Sequence, residues 1–169
     1  MTDPILVAVA WPYANAEIHV GNLTGSYLPA DIFARYQRLR GRDVLMVSGS
    51  DSHGTPITVR ADSEKTTPQA VYERFHEGFI DLFQQLGLTY DLFTSTHTQN
   101  HQKISQAMFL ALKKNGFLYT ESQMQWYAPS QSRFLPDRYV EGTCYICGYE
   151  AARSDQCDKC GNLLDAAKL

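Results

Sequence analysis

The stretch Ile5-Leu-Val-Ala-Val-Ala-Trp11 decides the fold. It is a continuous apolar run rich in β-branched residues, a pattern that is typical of a strand buried on both faces of a parallel sheet. Residues 43–48 (Asp-Val-Leu-Met-Val-Ser) predict a second such strand. Between the two strands, residues 19–40 predict a helix that Pro29 disturbs and Gly41 ends. The order strand, helix, strand predicts a right-handed crossover in a parallel α/β sheet.

The same alternation continues further along the chain. Thr67 predicts the N-cap of a helix that begins at Pro68 and carries apolar residues at helical spacing until Gly87. Residues 92–95 predict a short third strand. Residues 100–115 predict a helix with one apolar face, formed by Ile104, Met108 and Leu112.

The composition of the chain changes near residue 117. Residues 119–140 contain two prolines and are typical of short antiparallel strands. The cysteines follow directly. We therefore expect residues 1–117 to form an α/β half-domain that binds small molecules and residues 118–169 to form a small insertion stabilised by a metal.

Length, composition and charge narrow the class of protein. The chain has 169 residues, of which 44% are hydrophobic, and a net charge of -3, so it fits one domain with a small appendage. It contains no apolar run near the roughly 20 residues of a membrane helix, and its beginning lacks the pattern of a Sec signal. The sequence therefore predicts neither membrane insertion nor export. Any contact with RNA has to come from a local patch, because the chain has no overall positive charge.

The four cysteines form two Cys-x-x-Cys-Gly knuckles. They are Cys144, Cys147, Cys157 and Cys160. Four thiolates at this spacing predict a closed tetrahedral site, which fits one structural zinc ion because no position remains for water. Iron in the same knuckles and a redox dithiol are the alternatives. A secreted disulfide framework would scatter its cysteines, so the clustering favours a cytoplasmic protein.

The string His19-Val-Gly-Asn22 lies where the loop after the first strand meets the first helix. The start of a helix attracts phosphate, and Gly21 removes a side chain where a phosphate or a flat ring has to approach. Because His19 and Asn22 are three residues apart, we expect them on the same face of the first turn. A helix cap or a surface histidine would explain the same short string.

A second candidate segment, residues 49–56 (Gly-Ser-Asp-Ser-His-Gly-Thr-Pro), follows the second strand. Ligands of open α/β sheets bind beyond the carboxyl ends of the strands, so Asp51 and His19 are expected to face one crevice. The Asp51 carboxylate suits a substrate ammonium or Mg²⁺, and it also suits the cap of a turn. These residues predict a nucleotide crevice without specifying a reaction.

Several strings, in the same order along the chain, resemble the methionyl-tRNA synthetase family of class I aminoacyl-tRNA synthetases. The string at 19–22 corresponds to the signature usually written HIGH, with Asn22 as its last residue. Asparagine keeps a hydrogen-bond donor and loses the possible positive charge of histidine. The other matching segments are 11–15, 35–41, 50–57, 95–97, 115–117, 134–138 and the cysteine knuckles.

The resemblance implies a Rossmann-like fold and a two-step ligase reaction. Methionine is joined to the α-phosphate of ATP, which binds with Mg²⁺, pyrophosphate is released, and the methionyl group passes to tRNA(Met). On the methionine side, the resemblance implies that Trp11 and Tyr13 line the side-chain pocket and that Asp51 holds the α-ammonium. Without the resemblance, Trp11 and Tyr13 would be interpreted as core aromatics at the end of a strand.

The resemblance also assigns residues to ATP. It implies that His19, Gly21 and Asn22 bind the nucleotide, with Gly21 leaving room for adenine. Catalysis by His19 and Asn22 rests on positioning and charge stabilisation, because the methionine carboxylate is already a nucleophile. The acceptor end of tRNA would lie near the insertion, but we interpret Arg133 and Arg138 as solvated charges.

The resemblance further implies parts that these 169 residues do not include. These are the second half of the nucleotide fold, the lysine-rich KMSKS loop over the phosphates and a helical anticodon-reading domain. We therefore expect a fragment, a split subunit or a truncated product that is inactive or weakly active until the C-terminal half joins it. The alternatives are a non-catalytic relative that binds methionine, a nucleotide, RNA or a protein, and a free-standing zinc-ribbon module.

Overall fold

The computed structural model describes residues 3–136, 139–153 and 156–169. The chain divides into two compact units, Met1–Leu112 and Lys113–Leu169. Asp137 and Arg138, which end the segment at 134–138, lie outside the described residues.

A three-stranded parallel sheet forms the centre of the first unit. Its strands are β1 (Ile5–Ala8), β2 (Val44–Ser50) and β3 (Leu92–Ser95), and they lie side by side in the order β1-β2-β3. Ile5 of β1 lies opposite Val44 of β2, and Val47 of β2 lies opposite Leu92 of β3. Both connections carry helices, so the predicted parallel α/β sheet is confirmed.

The prediction that the strands are buried on both faces is wrong for the described part of the chain. In β2, Met46 is fully buried, whereas its neighbour Leu45 is 51% exposed. In β1, Leu6 is 64% exposed. Exposed residues alternate with covered ones in β1 and in the first part of β2, because side chains along a strand point to opposite faces and the described residues cover only one face there. The last three residues of β2 are all buried.

The helical segment after β1 has three parts. A short helix, α1 (Val20–Asn22), leads into a π-helical turn at Leu23–Tyr27 and then into α2 (Leu28–Leu39). The Leu28 N–H donates to the carbonyl of Leu23, five residues earlier. The disturbance predicted at Pro29 is therefore a wide turn placed directly before that residue, where the missing N–H of proline removes the next hydrogen bond of a regular helix.

Two helices connect β2 to β3. In α4 (Pro68–Gln85), the Thr67 side chain accepts a hydrogen bond from the Ala70 N–H at 3.1 Å, which confirms the predicted cap. The buried face of α4 consists of Val71, Phe75, Phe79 and Phe83. The sequence analysis did not predict α3 (Thr55–Glu64), whose signal is short and consists of a proline in the first turn and the buried pair Ile57 and Ala61.

The helix α5 spans Gln99–Lys114, so that its last two residues belong to the second unit, and it confirms the predicted helix. Its apolar face is not buried, because Ile104 is 59% exposed and Met108 is 60% exposed. No residue of α5 is buried by the described parts of the chain. None of the helices that the structure describes combines the length and the hydropathy that a membrane-spanning segment requires.

Short hairpins build the second unit. The strands β4 (Tyr127–Ala128) and β5 (Arg133–Phe134) pair antiparallel, as do β6 (Glu141–Gly142) and β7 (Ala152–Arg153). Its small core contains Cys144, Ala152 and Cys157. The predicted short antiparallel strands are therefore confirmed within the described residues.

A buried carboxylate joins α2 to the segment that leads into β3. Asp31 is 5% exposed and accepts hydrogen bonds from the Thr89 N–H at 2.7 Å, from the Thr89 hydroxyl and from Arg35 Nε at 2.6 Å. Burial raises the pKa of Asp31, but these hydrogen bonds outweigh it and hold the pKa below its ordinary value of 3.8. Nearby, Asp91 accepts from Arg38 at 2.7 Å, so both arginines pair with acids.

We predict that Asp31→Asn destabilises the first unit by about 2 kcal/mol at neutral pH, because it removes hydrogen bonds to a buried charge. A carboxyl group with a lowered pKa stabilises the fold above its unfolded pKa, and this contribution is lost as the pH falls below about 3.8. Urea unfolding at pH 7 and pH 3 measures both effects. The exposed Asp81→Asn is the matched control, and equal losses in the two variants would contradict the prediction.

Candidate active site

The backbone of Asp51 ties together the loops that follow β1 and β2. The Asp51 N–H donates to the Pro12 carbonyl at 2.8 Å, and the Asp51 carbonyl accepts from the Ala14 N–H at 3.0 Å. This parallel bridge between Tyr13 and Asp51 continues the pairing of the two strands beyond their ends. Asp51 and the aromatic loop consequently lie at the carboxyl edge of the sheet, where ligands of α/β proteins bind.

The β3 side also holds the segment around Asp51. The Ser52 N–H donates to Thr96 Oγ1 at 2.8 Å, and the Thr96 N–H donates to the Ser50 carbonyl at 3.1 Å. The Asp51 peptide is therefore fixed on both flanks. Its carboxylate is half-buried, and its Oδ1 lies 3.5 Å from the His53 N–H.

His19 and Asn22 cap the start of α1 reciprocally. The Asn22 N–H donates to His19 Nδ1 at 3.3 Å, and the His19 N–H donates to Asn22 Oδ1 at 3.2 Å. The expectation that the two side chains share one face of the first turn is confirmed. Because Nδ1 accepts a hydrogen bond, the network assigns the ring proton of neutral His19 to Nε2. His19 Nε2–H and the Asn22 amino group thus remain as donors.

The glycine at position 21 leaves space for the His19 ring in the capping geometry. A Cβ atom on Gly21 would lie 3.0 Å from His19 Nδ1 and 3.0 Å from His19 Cε1. The imidazole therefore occupies the space that a side chain would take. The absent side chain serves the conformation of His19, a role that the sequence analysis did not recognise.

One cleft of about 370 Å³ brings four of the candidate residues together. Trp11, Tyr13, His19 and Asn22 all line it. Asp51 and Gly21 are not among its lining residues, although Asp51 pairs with Tyr13 through the backbone. The lining residues that the sequence analysis missed include Asn15, Glu17 and Ser26. Ser26 follows Asn22 by four residues, so helical spacing was the available signal.

Buried hydroxyl groups lie beneath this edge of the sheet. Ser52 Oγ lies 2.7 Å from Ser95 Oγ and 3.3 Å from Ser50 Oγ, which in turn lies 2.8 Å from His76 Nδ1. All three serines are buried. Burial lowers the pKa of His76, and the nearby charge of Glu77 opposes this effect. The neutral imidazole therefore fits the hydrogen-bonded cluster.

The four cysteines of the second unit converge on one point. Their sulfur atoms all lie within 4.8 Å of one another, with Cys144 and Cys160 4.0 Å apart and Cys147 and Cys157 3.7 Å apart. A tetrahedron with metal–sulfur bonds of about 2.3 Å separates its sulfurs by about 3.8 Å. The donor set therefore fits a metal ion. Hydrogen bonds from the backbone and side chain of Asn162 lower the pKa of Cys160 to about 6, which favours its thiolate form.

Comparison with known proteins decides the family. The family model for class I (M) tRNA synthetases matches residues 5–169. The chain belongs to this synthetase family. A methionine–tRNA ligase of Roseiflexus sp. is 59% identical over the whole chain, and one of Thermomicrobium roseum is 56% identical over the whole chain. The chain spans 28% and 29% of the lengths of these two relatives.

Solved synthetase structures have the same fold. A structure of Mycobacterium tuberculosis methionyl-tRNA synthetase in complex with methionyl-adenylate has a TM-score of 0.74 and 25% identity. The match covers 96% of this chain and 30% of that protein. The fold expected from the sequence, an α/β half-domain of the Rossmann-like class I synthetase type with a cysteine-rich insertion, is therefore confirmed.

In this chain, a glycine of β2 supports the first aromatic residue of the cleft. A Cβ atom on Gly49 would lie 2.9 Å from the Trp11 ring and 2.7 Å from the Thr94 carbonyl oxygen. Trp11 is 39% exposed and Tyr13 is 52% exposed. Neither ring is a core aromatic, so that interpretation of the sequence does not hold. The bare backbone of Gly49 sets the position of the Trp11 ring at the edge of the sheet.

We predict that Gly49→Ala displaces the Trp11 ring and destabilises the first unit by about 1 to 3 kcal/mol, because the added methyl group overpacks this site. In a Trp126→Phe background, the fluorescence of Trp11 should shift to the red and become easier to quench with acrylamide. Gly25→Ala is the control, because a Cβ atom there meets nothing within 4 Å. An unchanged Trp11 spectrum in Gly49→Ala would contradict the prediction.

Proposed function

We propose that this chain carries the methionine-binding and ATP-binding part of a methionine–tRNA ligase. The observation that carries the proposal is the single cleft that four of the predicted residues line, in a member of the class I (M) family. In the first step, a carboxylate oxygen of methionine attacks the α-phosphate of ATP. A new oxygen–phosphorus bond forms, the bond to the bridging oxygen breaks, and pyrophosphate leaves with the electron pair.

We assign methionine to Trp11 and Tyr13 in the cleft and to Asp51, which pairs with Tyr13 through the backbone beside it. The half-buried carboxylate of Asp51 pairs with the α-ammonium of methionine, because a charge-assisted hydrogen bond is strong at such a site. The two exposed rings contact the thioether. Sulfur–aromatic contacts are favourable by about 0.3 to 1.5 kcal/mol, which suits a pocket that selects methionine.

We assign the nucleotide to His19 and Asn22, which line the cleft, and to Gly21, which lies between them in the sequence. His19 Nε2–H and the Asn22 amino group donate to the phosphates and stabilise the charge that develops in the transition state. The Asn22 amide is a neutral donor, and Mg²⁺ bound to ATP would supply positive charge at the phosphates. Gly21 leaves room for adenine and for the imidazole of His19. Neither residue has to transfer a proton, because the attacking carboxylate is already ionised.

The complete activity requires sequence beyond these residues. The curated relatives are more than three times as long, and we propose that their C-terminal part supplies the KMSKS loop and the other half of the methionine pocket. The second step then transfers methionine to tRNA(Met), in the cytoplasm. The C-terminal half is thus the principal partner of this chain.

We propose that residues 118–169 form the connective insertion and that Cys144, Cys147, Cys157 and Cys160 hold one structural zinc ion. The distances between the sulfur atoms suit a closed tetrahedral site. Two of the ligands, Cys144 and Cys157, are buried and belong to the small core of this unit. Zinc therefore supports the fold of the insertion and takes no part in the reaction.

The proposed function predicts methionine-dependent exchange between ATP and pyrophosphate when the chain is supplied with the C-terminal part of a relative. Asp51→Asn should raise the KM for methionine about 10-fold or more, because it removes the charge that pairs with the ammonium. The KM for ATP should change little. Exchange with each of the twenty amino acids, measured by isotope incorporation, tests both expectations.

Asp81→Asn serves as the control variant, because Asp81 is an exposed carboxylate on α4. If both pieces fold and associate but no amino acid supports exchange, the ligase proposal is wrong and a binding-only relative is favoured. Exchange that depends on an amino acid other than methionine would contradict the assignment of Trp11 and Tyr13.

The zinc proposal predicts one zinc ion per chain and a selective response to chelation. Removal of the metal should unfold the hairpin that joins β6 and β7, because the cysteines dominate the core of the second unit. The parallel sheet of the first unit should remain folded. Metal analysis and backbone amide NMR spectra before and after chelation measure the effect, with Cys157→Ser as the matching variant. Iron in the purified protein, or an unchanged second unit after chelation, would contradict the proposal.

A further inference from the structure

Thr96 and His97, which follow β3, and His53, which follows β2, form a series of hydrogen bonds that the proposed reaction does not use. Thr96 Oγ1 lies 3.2 Å from His53 Nδ1, and His53 Nε2 lies 3.3 Å from His97 Nδ1. The His97 ring packs against Tyr72, with 4.6 Å between the ring centroids. The His97 N–H donates to Ser95 Oγ at 3.1 Å, so His97 is anchored at both its ring and its backbone.

The donors and acceptors present allow these hydrogen bonds to run in a single direction. The Ser52 N–H can only donate, so Thr96 Oγ1 accepts from it at 2.8 Å. The hydroxyl proton of Thr96 is then available for His53 Nδ1. A neutral His53 that accepts at Nδ1 carries its proton at Nε2 and donates it to His97 Nδ1. With this tautomer, the hydrogen bonds run in one direction, from Ser52 through Thr96 and His53 to His97.

The series of hydrogen bonds from Ser52 to His97 bears on the position of Asp51, because the pairing of β2 with β3 ends just before Asp51. On the β1 side, backbone hydrogen bonds to Pro12 and Ala14 hold the Asp51 peptide. On the β3 side, the ladder between β2 and β3 ends at Ser50 and Ser95. The next N–H group, that of Ser52, finds a side-chain hydroxyl instead of a carbonyl oxygen.

We propose that Thr96, His53 and His97 are positioning residues that fix the Asp51 segment, so that its carboxylate is preorganised for the ammonium group of the amino acid. The proposal rests on the assignment of Asp51 to the substrate ammonium. None of the three residues has to touch the substrate. Their contribution is to hold the segment in one conformation before the substrate binds, which reduces the entropy lost on binding.

Imidazole NMR spectra of the 169-residue protein test the direction of these hydrogen bonds and require no activity assay. Long-range proton–nitrogen correlations report which ring nitrogen carries the proton. The expected result is a proton at Nε2 and none at Nδ1 for both His53 and His97 at neutral pH. A proton at His53 Nδ1 would overturn the proposal, because Thr96 would then be the acceptor from the ring.

Amide hydrogen exchange tests whether the chain holds the Asp51 segment. Thr96→Val removes the hydroxyl at nearly constant shape and should speed the exchange of the Ser52 N–H about 10-fold, as expected for one lost hydrogen bond. Thr96→Ser should restore slow exchange. His97→Leu should also speed the exchange of the Ser52 N–H, but by less than Thr96→Val. His97→Asn should keep the exchange slow, because the asparagine Oδ1 can accept the hydrogen bond that His97 Nδ1 accepts.

Thr98→Val is the matched control. Thr98 lies two residues further along, and its hydroxyl accepts from the His101 N–H at 3.2 Å at the start of α5. This variant should leave the exchange of the Ser52 N–H unchanged. Equal exchange in Thr96→Val and the wild type would overturn the proposal, and so would an equal effect of Thr98→Val.

The assembled enzyme gives the functional readout. With the C-terminal part supplied, Thr96→Val should raise the KM for methionine about 10-fold, while the KM for ATP stays within about 2-fold, and Thr96→Ser should be close to the wild type. An unchanged KM for methionine would overturn the positioning role even if the NMR results hold. If the wild type shows no methionine-dependent exchange between ATP and pyrophosphate, the proposed function is rejected instead. Amide hydrogen exchange would still decide whether Thr96, His53 and His97 hold the Asp51 segment.

Discussion

The backbone pairing of Asp51 with Pro12 and Ala14 is the constraint on which the rest of the candidate site depends. It extends the pairing of β1 and β2 by a few residues beyond the point where both strands end. Through this extension, an aromatic loop and an acidic segment far apart in the sequence become neighbours at one edge of the sheet. Backbone amide groups bring these two segments together, so the side chains are not needed for the pairing and can contact a ligand.

His19 and Asn22 each divide their hydrogen-bonding groups between two roles. His19 and Asn22 use one hydrogen-bonding group each to cap the helix, and each retains another group for a ligand. Asparagine at the last position of the signature is compatible with this arrangement, because the capping bond requires an acceptor and the ligand requires a donor. One amide side chain provides both.

Much of this architecture could be predicted from local sequence signals. The cap at Thr67, the helix over 100–115 and the three strands depend on residues close together in the sequence, and the structure confirms them. The exposed face of the sheet could not be predicted, because the runs at Ile5 and Val44 are apolar whether or not the described residues cover both faces. The support that Gly49 gives to Trp11, and the bond from Ser52 to Thr96, join residues that only the folded sheet brings together.

The π-helical turn at Leu23–Tyr27 has a consequence for changes in chain length. Its hydrogen bond spans five residues where an α-helix spans four, so the turn accommodates one more residue than a regular helix would. A deletion of one residue within the turn would convert it into regular helix, while both the His19 cap and the buried face of α2 could keep their own contacts. An inserted residue could not be accommodated in this way, because the turn is already one residue wider than a regular helix. The segment between the His19 cap and α2 should therefore tolerate shortening by one residue better than lengthening by one.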